Sequence, residues 1–217
     1  RIIDQRITSM EVIACPELEE RHATALQATR NDDLARHAAY HGLTVEALTS
    51  MAAAVDGDRL VFPLWADRKI VGLRLVGMDG SQSLAEGSSA GIYRSTFGPE
   101  KPGIMVAVGA MDTAAMVSAG LSAIGLFSED TTYRAASMEV EEAGRQQAVV
   151  WSMGGFARYL LLHTPAGLER VTVCTQPQEH GSLLAWVRDG KADRKAILGR
   201  VAAFRRMWDR DGGQVAV

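Results

Sequence analysis

Residues 104–126, IMVAVGAMDTAAMVSAGLSAIGL, hold a strand, a turn, a helix and a second strand in immediate succession. Ile104-Met105-Val106-Ala107-Val108 is a continuous apolar run of strand length, which suits a strand buried on both faces. Gly109 permits a sharp turn, Asp112 to Ala119 is Ala-rich and helical, and Gly120 stops that helix. Ala123-Ile124-Gly125-Leu126-Phe127 repeats the apolar strand pattern. Strand–helix alternation with short connections implies a parallel sheet covered by helices on both faces.

The alternation continues downstream. A helix is expected from Ser137 to Gln146, a strand over Ala148–Trp151, a helix from Gly155 to His163 and a strand over Val171–Cys174. Helices around Leu183–Val187 and Asp193–Trp208 follow, the last with Ile197, Val201, Phe204 and Trp208 at helical spacing. Upstream, Pro16 opens a charged helix to about Thr29. Asn31-Asp32-Asp33 offers an N-cap for a second helix through Tyr40, ended by Gly42. Thr44 caps a third helix through Ala54. Arg59–Leu64 and Ile70–Val76 flank the polar turn Ala66-Asp67-Arg68-Lys69 and read as a hairpin, with a further turn at Met78–Ser81. Pro99-Glu100-Lys101-Pro102-Gly103 reads as a linker, so residues 1–100 are expected to form a helical and hairpin region and residues 101–217 an α/β domain.

Composition narrows the classes of function. The chain has 217 residues, 47% apolar and 23% charged, with a formal net charge of −3, which excludes wholesale disorder. No apolar run reaches the roughly 18–20 residues of a membrane helix, so no membrane partner is expected. Two cysteines, Cys15 and Cys174, cannot build a disulfide framework or a Cys₄ zinc site. The chain opens at Arg1 with no secretory signal, which reads as a piece of a longer, cytoplasmic protein. Residues 1–58 carry ten acids against five bases, and residues 186–211 eight bases against four acids. A basic tail of that kind is a candidate electrostatic footprint, though such a helix more often simply keeps a solvated face. No Gly-x-Gly-x-x-Gly or Walker A sequence appears. His37 and His41 share a helical face without the intervening Glu of a zincin, and all five histidines are expected on surfaces rather than on metal.

Four stretches resemble one family. Residues 59–93, with the hairpin, the Gly80 turn and Gly91-Ile92-Tyr93, are similar to the segment preceding the Toprim domain of bacterial and phage-type DNA primases. Residues 104–126 resemble the first Toprim strand, turn, helix and second strand. Ala148 to Arg158 falls where the third strand and its acidic motif belong. Val171 to Gly190, ending Trp186-Val187-Arg188-Asp189-Gly190, resembles the close of the domain. The resemblance spans roughly residues 34–200 in order and implies an α/β fold: a Toprim-like parallel sheet flanked by helices, preceded by a helical plus β-hairpin region.

Toprim domains of that family place a Glu after the first strand and an Asp-x-Asp after the third, where they hold Mg²⁺ for phosphoryl transfer. The resemblance puts those positions on Val108, beside the turn residue Gly109, and on Ser152 and Gly154. None is acidic, and an alternative placement of the motif at Gln176-Pro177-Gln178 also lacks acids. Asp112 stands where the family keeps an Asp, and as a helix N-cap it has a purely structural role open to it. No metal ligand set and no cofactor are expected, in contrast to the Mg²⁺ of active relatives. The resemblance implies a non-catalytic primase-like module, a scaffold or weak binder of DNA or RNA among replication or mobile-element proteins. Contacts to phosphate are expected from Arg68, Lys69 and Arg74 on the hairpin and from Arg158.

Two enzymatic alternatives stand beside this. One is a residual Mg²⁺-dependent nuclease or primase using other ligands. The other is a small serine hydrolase, because Val150-Trp151-Ser152-Met153-Gly154-Gly155 resembles a nucleophile elbow. The Gly expected two residues before Ser152 is Val150, no upstream His-Gly-Gly loop is present, and His163 and His180 are the only histidines after it.

Overall fold

The computed structural model describes residues 15–96, 103–128, 133–142, 147–151 and 170–210. Helix α1 spans Pro16–Ala28, with Pro16 at its first turn and Glu17 and Glu19 favourably placed at the positive end of its dipole. Thr29 ends it, donating its hydroxyl to Ala25 O (2.7 Å) and accepting from Val55 N (2.8 Å), which ties the helix to the first strand. Helix α2 is Asn31–His41 and stops at Gly42 in the left-handed region (φ 70°). Its N-cap is Arg30, one residue earlier than the expected Asn/Asp cap, and no side chain caps it. Helix α3 covers Val45–Ser50, capped as expected by Thr44, whose Oγ1 accepts from Ala47 N (3.1 Å). It stops short of Ala54 because Ala52 turns to φ 53° and Ala54 is taken up by a strand.

The strands β1 (Ala54–Asp56), β2 (Arg59–Ala66), β3 (Lys69–Gly77), β4 (Gln82–Leu84) and β5 (Ile92–Arg94) follow. β2 and β3 form the expected antiparallel hairpin, turning at Asp67 and Arg68, both at positive φ. The α/β part contains β6 (Gly103–Val108), α4 (Ala110–Ser118), β7 (Ala123–Leu126), α5 (Tyr133–Glu142), β8 (Gln147–Val150) and β9 (Arg170–Val173). The short α6 (Leu183–Arg188) and the long α7 (Arg194–Arg210) close the chain. Helix α5 starts four residues before the expected Ser137, because Tyr133, Ala136 and Val140 form the face that packs on the sheet. The expected helix over 155–163 and the core of the 99–103 linker lie outside the described residues.

All nine described strands belong to one sheet, ordered β4-β3-β2-β5-β7-β6-β8-β9, with β1 on β2. β7, β6, β8 and β9 are parallel, as the alternation of strands and helices requires. β5 pairs antiparallel with both β2 and β7, so the hairpin and the parallel strands share one sheet. Alternate residues feed opposite faces. Met105, Ala123 and Val149 face a core shared with α2, α3, α4, α6 and α7. Ile104, Val106, Ile124, Leu126, Ala148 and Val150 face α5. A third cluster seats α1 on the hairpin through Leu18, Val61, Leu73 and Leu75.

α4 lies tightly against β7 at one point. A Cβ on Gly125 would stand 2.0 Å from Thr113 Oγ1 and 2.8 Å from Tyr93 Cδ2, so only glycine fits between helix and neighbouring strand. Thr113 is fixed from the other side, its hydroxyl donating to Gly109 O (2.6 Å). This contact aims the start of α4 at the carboxyl ends of the parallel strands, where sheets of this type hold ligands.

Candidate functional site

β6 ends at the half-buried Val108, and Gly109 then takes φ 84° and ψ 160° as the N-cap of α4. That combination is open essentially to glycine alone. The Gly109 N–H donates to Leu126 O (2.8 Å), which locks the turn to the end of β7. A cleft of about 290 Å³ opens beside this turn. Val108, Gly109, Met111 and Asp112 form one wall, and Val76 of β3, Gly80 of the β3–β4 turn and Gln82 of β4 another. His41, from the end of α2, and Ser182 and Leu184, at the start of α6, complete it. The cleft therefore lies between the helical and hairpin region and the parallel sheet.

Asp112 occupies the first turn of α4, yet it caps a different helix. Its Oδ1 accepts from Leu184 N (2.9 Å), and its carboxylate also bonds the Leu183 amide. Together with Ser182 Oγ, which accepts from Ala185 N (3.1 Å), it satisfies the first amides of α6. Burial raises its pKa above the usual 3.8, and the two amides pull the other way. The expected capping of its own helix is thus replaced by a bridge between α4 and α6.

The chemistry of this lining does not fit a resident Mg²⁺. The Val108 side chain has no ligand atom, Asp112 is the one carboxylate among the described lining residues, and its Oδ1 accepts from the Leu184 amide. Among the described residues no group of three or more His, Cys, Asp or Glu could hold a metal ion. Ser152 and Gly154, the two other positions expected from the resemblance to match metal-binding acids, lie outside the described residues, as does Arg158. In the alternative motif, Gln176 is a structural residue: its Oε1 accepts from Trp151 Nε1 (3.2 Å) and its Nε2 donates to Gly181 O (3.4 Å).

The basic candidates divide. Lys69 is exposed at the hairpin turn, beside the exposed Arg68. Arg74 is half-buried inside β3, its Nε donating to Tyr93 Oη (3.3 Å) and its guanidinium 4.6 Å above the Phe127 ring. In the C-terminal basic stretch several arginines bind the protein itself. Arg194 donates to Gly120 O (3.3 Å), Arg200 to the carbonyls of Thr175 and Gln176, and Arg205 to Thr172 Oγ1 (3.1 Å) and Gln147 Oε1 (2.8 Å). That helix is a strut across the ends of β8 and β9 more than a free cationic face.

The histidines depart from expectation. His22, His37, His41 and His180 are all buried rather than on helix surfaces. His22 Nε2 is 2.8 Å from Ala52 O, and His180 Nδ1 is 3.3 Å from Asp189 Oδ2 with its ring stacked on Trp186. His37 and His41 stack at 6.2 Å, and His37 Nδ1 and Nε2 and His41 Nε2 have no hydrogen-bond partner among the described residues. His41 is the site residue that sequence reasoning passed over. The signal was present, since Leu34, His37, Ala38 and His41 fall at i, i+3, i+4 and i+7 and all are buried.

No family model matches the chain, and no curated protein matches it. Solved structures do. A DnaG catalytic core superposes with a TM-score of 0.64 over 89% of this chain and 82% of that one, at 14% identity. A DnaG primase catalytic domain bound to single-stranded DNA matches with a TM-score of 0.63 over 87% and 80%, also at 14% identity. The RNA polymerase domain of Mycobacterium tuberculosis primase DnaG matches with a TM-score of 0.59 over 89% and 84%, at 12% identity. Across nearly its whole length, the chain has the fold of a primase catalytic core.

Proposed function

We propose that this chain is a nucleic-acid-binding module built on the primase catalytic-core fold, without the metal-dependent phosphoryl transfer for which that fold is suited. The observation that carries the reading is the wall of the cleft at the end of β6. Val108 offers no ligand, and Asp112 spends its carboxylate on the amides of α6. The neighbour solved with single-stranded DNA supports a nucleic-acid partner for this fold. With no metal to bridge carboxylate and phosphate, contact falls to basic side chains such as Arg68, Lys69 and Arg158. A role as a scaffold within a replication or mobile-element assembly follows from the same reading. So does a division into a helical and hairpin region, 1–100, and a Toprim-like region, 101–217.

Fluorescence anisotropy with single-stranded and duplex oligonucleotides at two salt concentrations tests the binding. The expected dissociation constants are roughly 10⁻⁴–10⁻⁶ M near physiological salt, weakening steeply as salt rises. In parallel, template-directed synthesis from nucleoside triphosphates with Mg²⁺ or Mn²⁺ should give no product. Absence of binding at low salt, or template-dependent product, would overturn the proposal.

A further inference from the structure

We propose that the groove between α1 and the β1–β2 turn is a docking surface for a lysine- or arginine-bearing extended segment of a partner protein. The groove shares no described lining residue with the cleft at the end of β6. The inference therefore goes beyond the nucleic-acid reading and does not rest on it.

The course of the groove follows from spacing on α1. Glu17, Glu20, Thr24 and Ala28 fall at i, i+3, i+7 and i+11, so one face of that helix forms a wall along most of its length. Val55 and Asp56 of β1 stand opposite, and Arg30 and Asp33 at the start of α2 complete the lining. The α1 wall is open to solvent, since Glu17, Glu20, Arg21, Thr24 and Ala28 are all exposed. From Glu17 to Ala28 the helix rises about 16 Å, a length that an extended chain of about five residues covers. The volume of about 800 Å³, against about 290 Å³ for the cleft, suits a peptide rather than a single ion.

Charge decides the occupant. Four acids and two arginines line the groove, and both arginines are already matched within it. Arg21 Nη2 lies 3.6 Å from Asp56 Oδ2, and Arg30 Nε donates to Asp33 Oδ2 (3.1 Å). The surplus is carried by Glu17 and Glu20, which have no ion-pair partner among the described residues. The helix dipole accounts for Glu17, in the first turn of α1, but not for Glu20 beyond it. Such a lining repels a phosphate backbone and attracts cations. Ala25, Ala28 and Val55 add methyl groups, against which the alkyl stem of a lysine or arginine packs while its head reaches a carboxylate. The Arg21–Asp56 pair joins helix to strand and is about half exposed, so an incoming cation can share Asp56 at little cost.

Fluorescence anisotropy of the full chain with a labelled Lys-Ala-Lys-Ala-Lys-Ala peptide tests this. Saturable binding is expected, weakened about fivefold when Glu17→Gln and Glu20→Gln are combined, the effect of losing two exposed charge pairs. The matched pair Glu46→Gln and Glu86→Gln, on the surface outside the groove, should leave binding unchanged. Ala28→Leu fills the groove without altering charge and should also weaken the peptide, with urea midpoints showing that each variant is folded. No saturable binding, equal weakening by the two glutamine pairs, or binding untouched by Ala28→Leu overturns the inference. So does self-association of the parent chain that the groove variants abolish, which would place a second copy there. Oligonucleotide affinity is read in a separate titration, so failure of the nucleic-acid reading leaves the peptide result readable, and the reverse.

Discussion

Asp112 shows how a residue type expected at a metal centre can be kept for architecture. Its carboxylate holds the amides of Leu183 and Leu184, so Asp112→Ala should cost about 1 kcal/mol, the usual loss on removing a helix cap. Asp112→Asn keeps an acceptor and should retain most of that stability, with denaturant midpoints distinguishing the two. Because burial raises the Asp112 pKa, the folded state binds this proton more readily than the unfolded chain. Its contribution to stability therefore falls as pH rises from about the usual 3.8 through the raised value, and Asp112→Asn should remove that slope. Gly125 illustrates a different constraint, one of space. Gly125→Ala places a methyl group against Thr113 and Tyr93 and should cost about 1–3 kcal/mol by overpacking, read from urea unfolding. A stability equal to the parent would mean that α4 can lift off β7.

Among the described elements, α2 is the one whose buried side chains include polar atoms without a hydrogen-bond partner. His37 is fully buried and His41 nearly so, and burial is the largest cause lowering the pKa of both, as it is for His22 on α1. Around His37, Arg36 lowers the pKa further while Asp33 and Asp58 oppose it. Below the usual imidazole value of 6.5 the unfolded chain takes up protons that the folded protein resists. Stability should therefore be full above that pH and decline as pH falls through the lowered values. Urea midpoints at mildly alkaline and mildly acidic pH measure this, and His37→Leu should flatten the decline with little loss at neutral pH. An unchanged slope in that variant would place the sensitivity on His22 or His41. The same helix marks the limit of sequence reading. Its existence and its end at Gly42 follow from periodicity and from the left-handed turn, and the strand–helix order of residues 104–126 is equally plain from apolar runs and glycines. The cleft is not, because His41, Gln82, Val108 and Ser182 lie far apart in the chain and meet only through the packing of α2, the β3–β4 turn, β6 and α6. Nor does any local pattern reveal that Arg194, Arg200 and Arg205 bind carbonyls and side chains of this chain.

At the scale of the whole molecule, the linker signal near residue 100 separates two regions of sequence that packing then joins. β5 bridges β2 and β7 within one sheet. The largest core cluster runs from Leu34, Leu48 and Phe62 on one side of the linker to Met116, Trp186 and Ile197 on the other. Polar contacts cross as well: Thr44 N donates to Ser118 Oγ (3.0 Å), and Arg94 pairs with Glu139 (3.1 Å). Neither region can open without exposing apolar surface of the other, so the free energy of separation becomes part of the free energy of unfolding. Equilibrium unfolding should accordingly be a single transition. Trp65 reports on the hairpin, and Trp151 and Trp186 form a stacked pair on the other side of the linker, so the two regions can be followed separately. Fluorescence of a Trp65→Phe variant, whose remaining tryptophans Trp151, Trp186 and Trp208 all lie in the second region, should give the same midpoint as the parent's far-ultraviolet circular dichroism, after allowance for the variant's own change in stability. Residues 1–100 or 101–217 expressed alone should fail to give a cooperative transition, because each would leave its share of the common core in water. Two resolved midpoints, or a fragment that folds by itself, would show that the shared sheet and core couple the regions less strongly than their geometry requires.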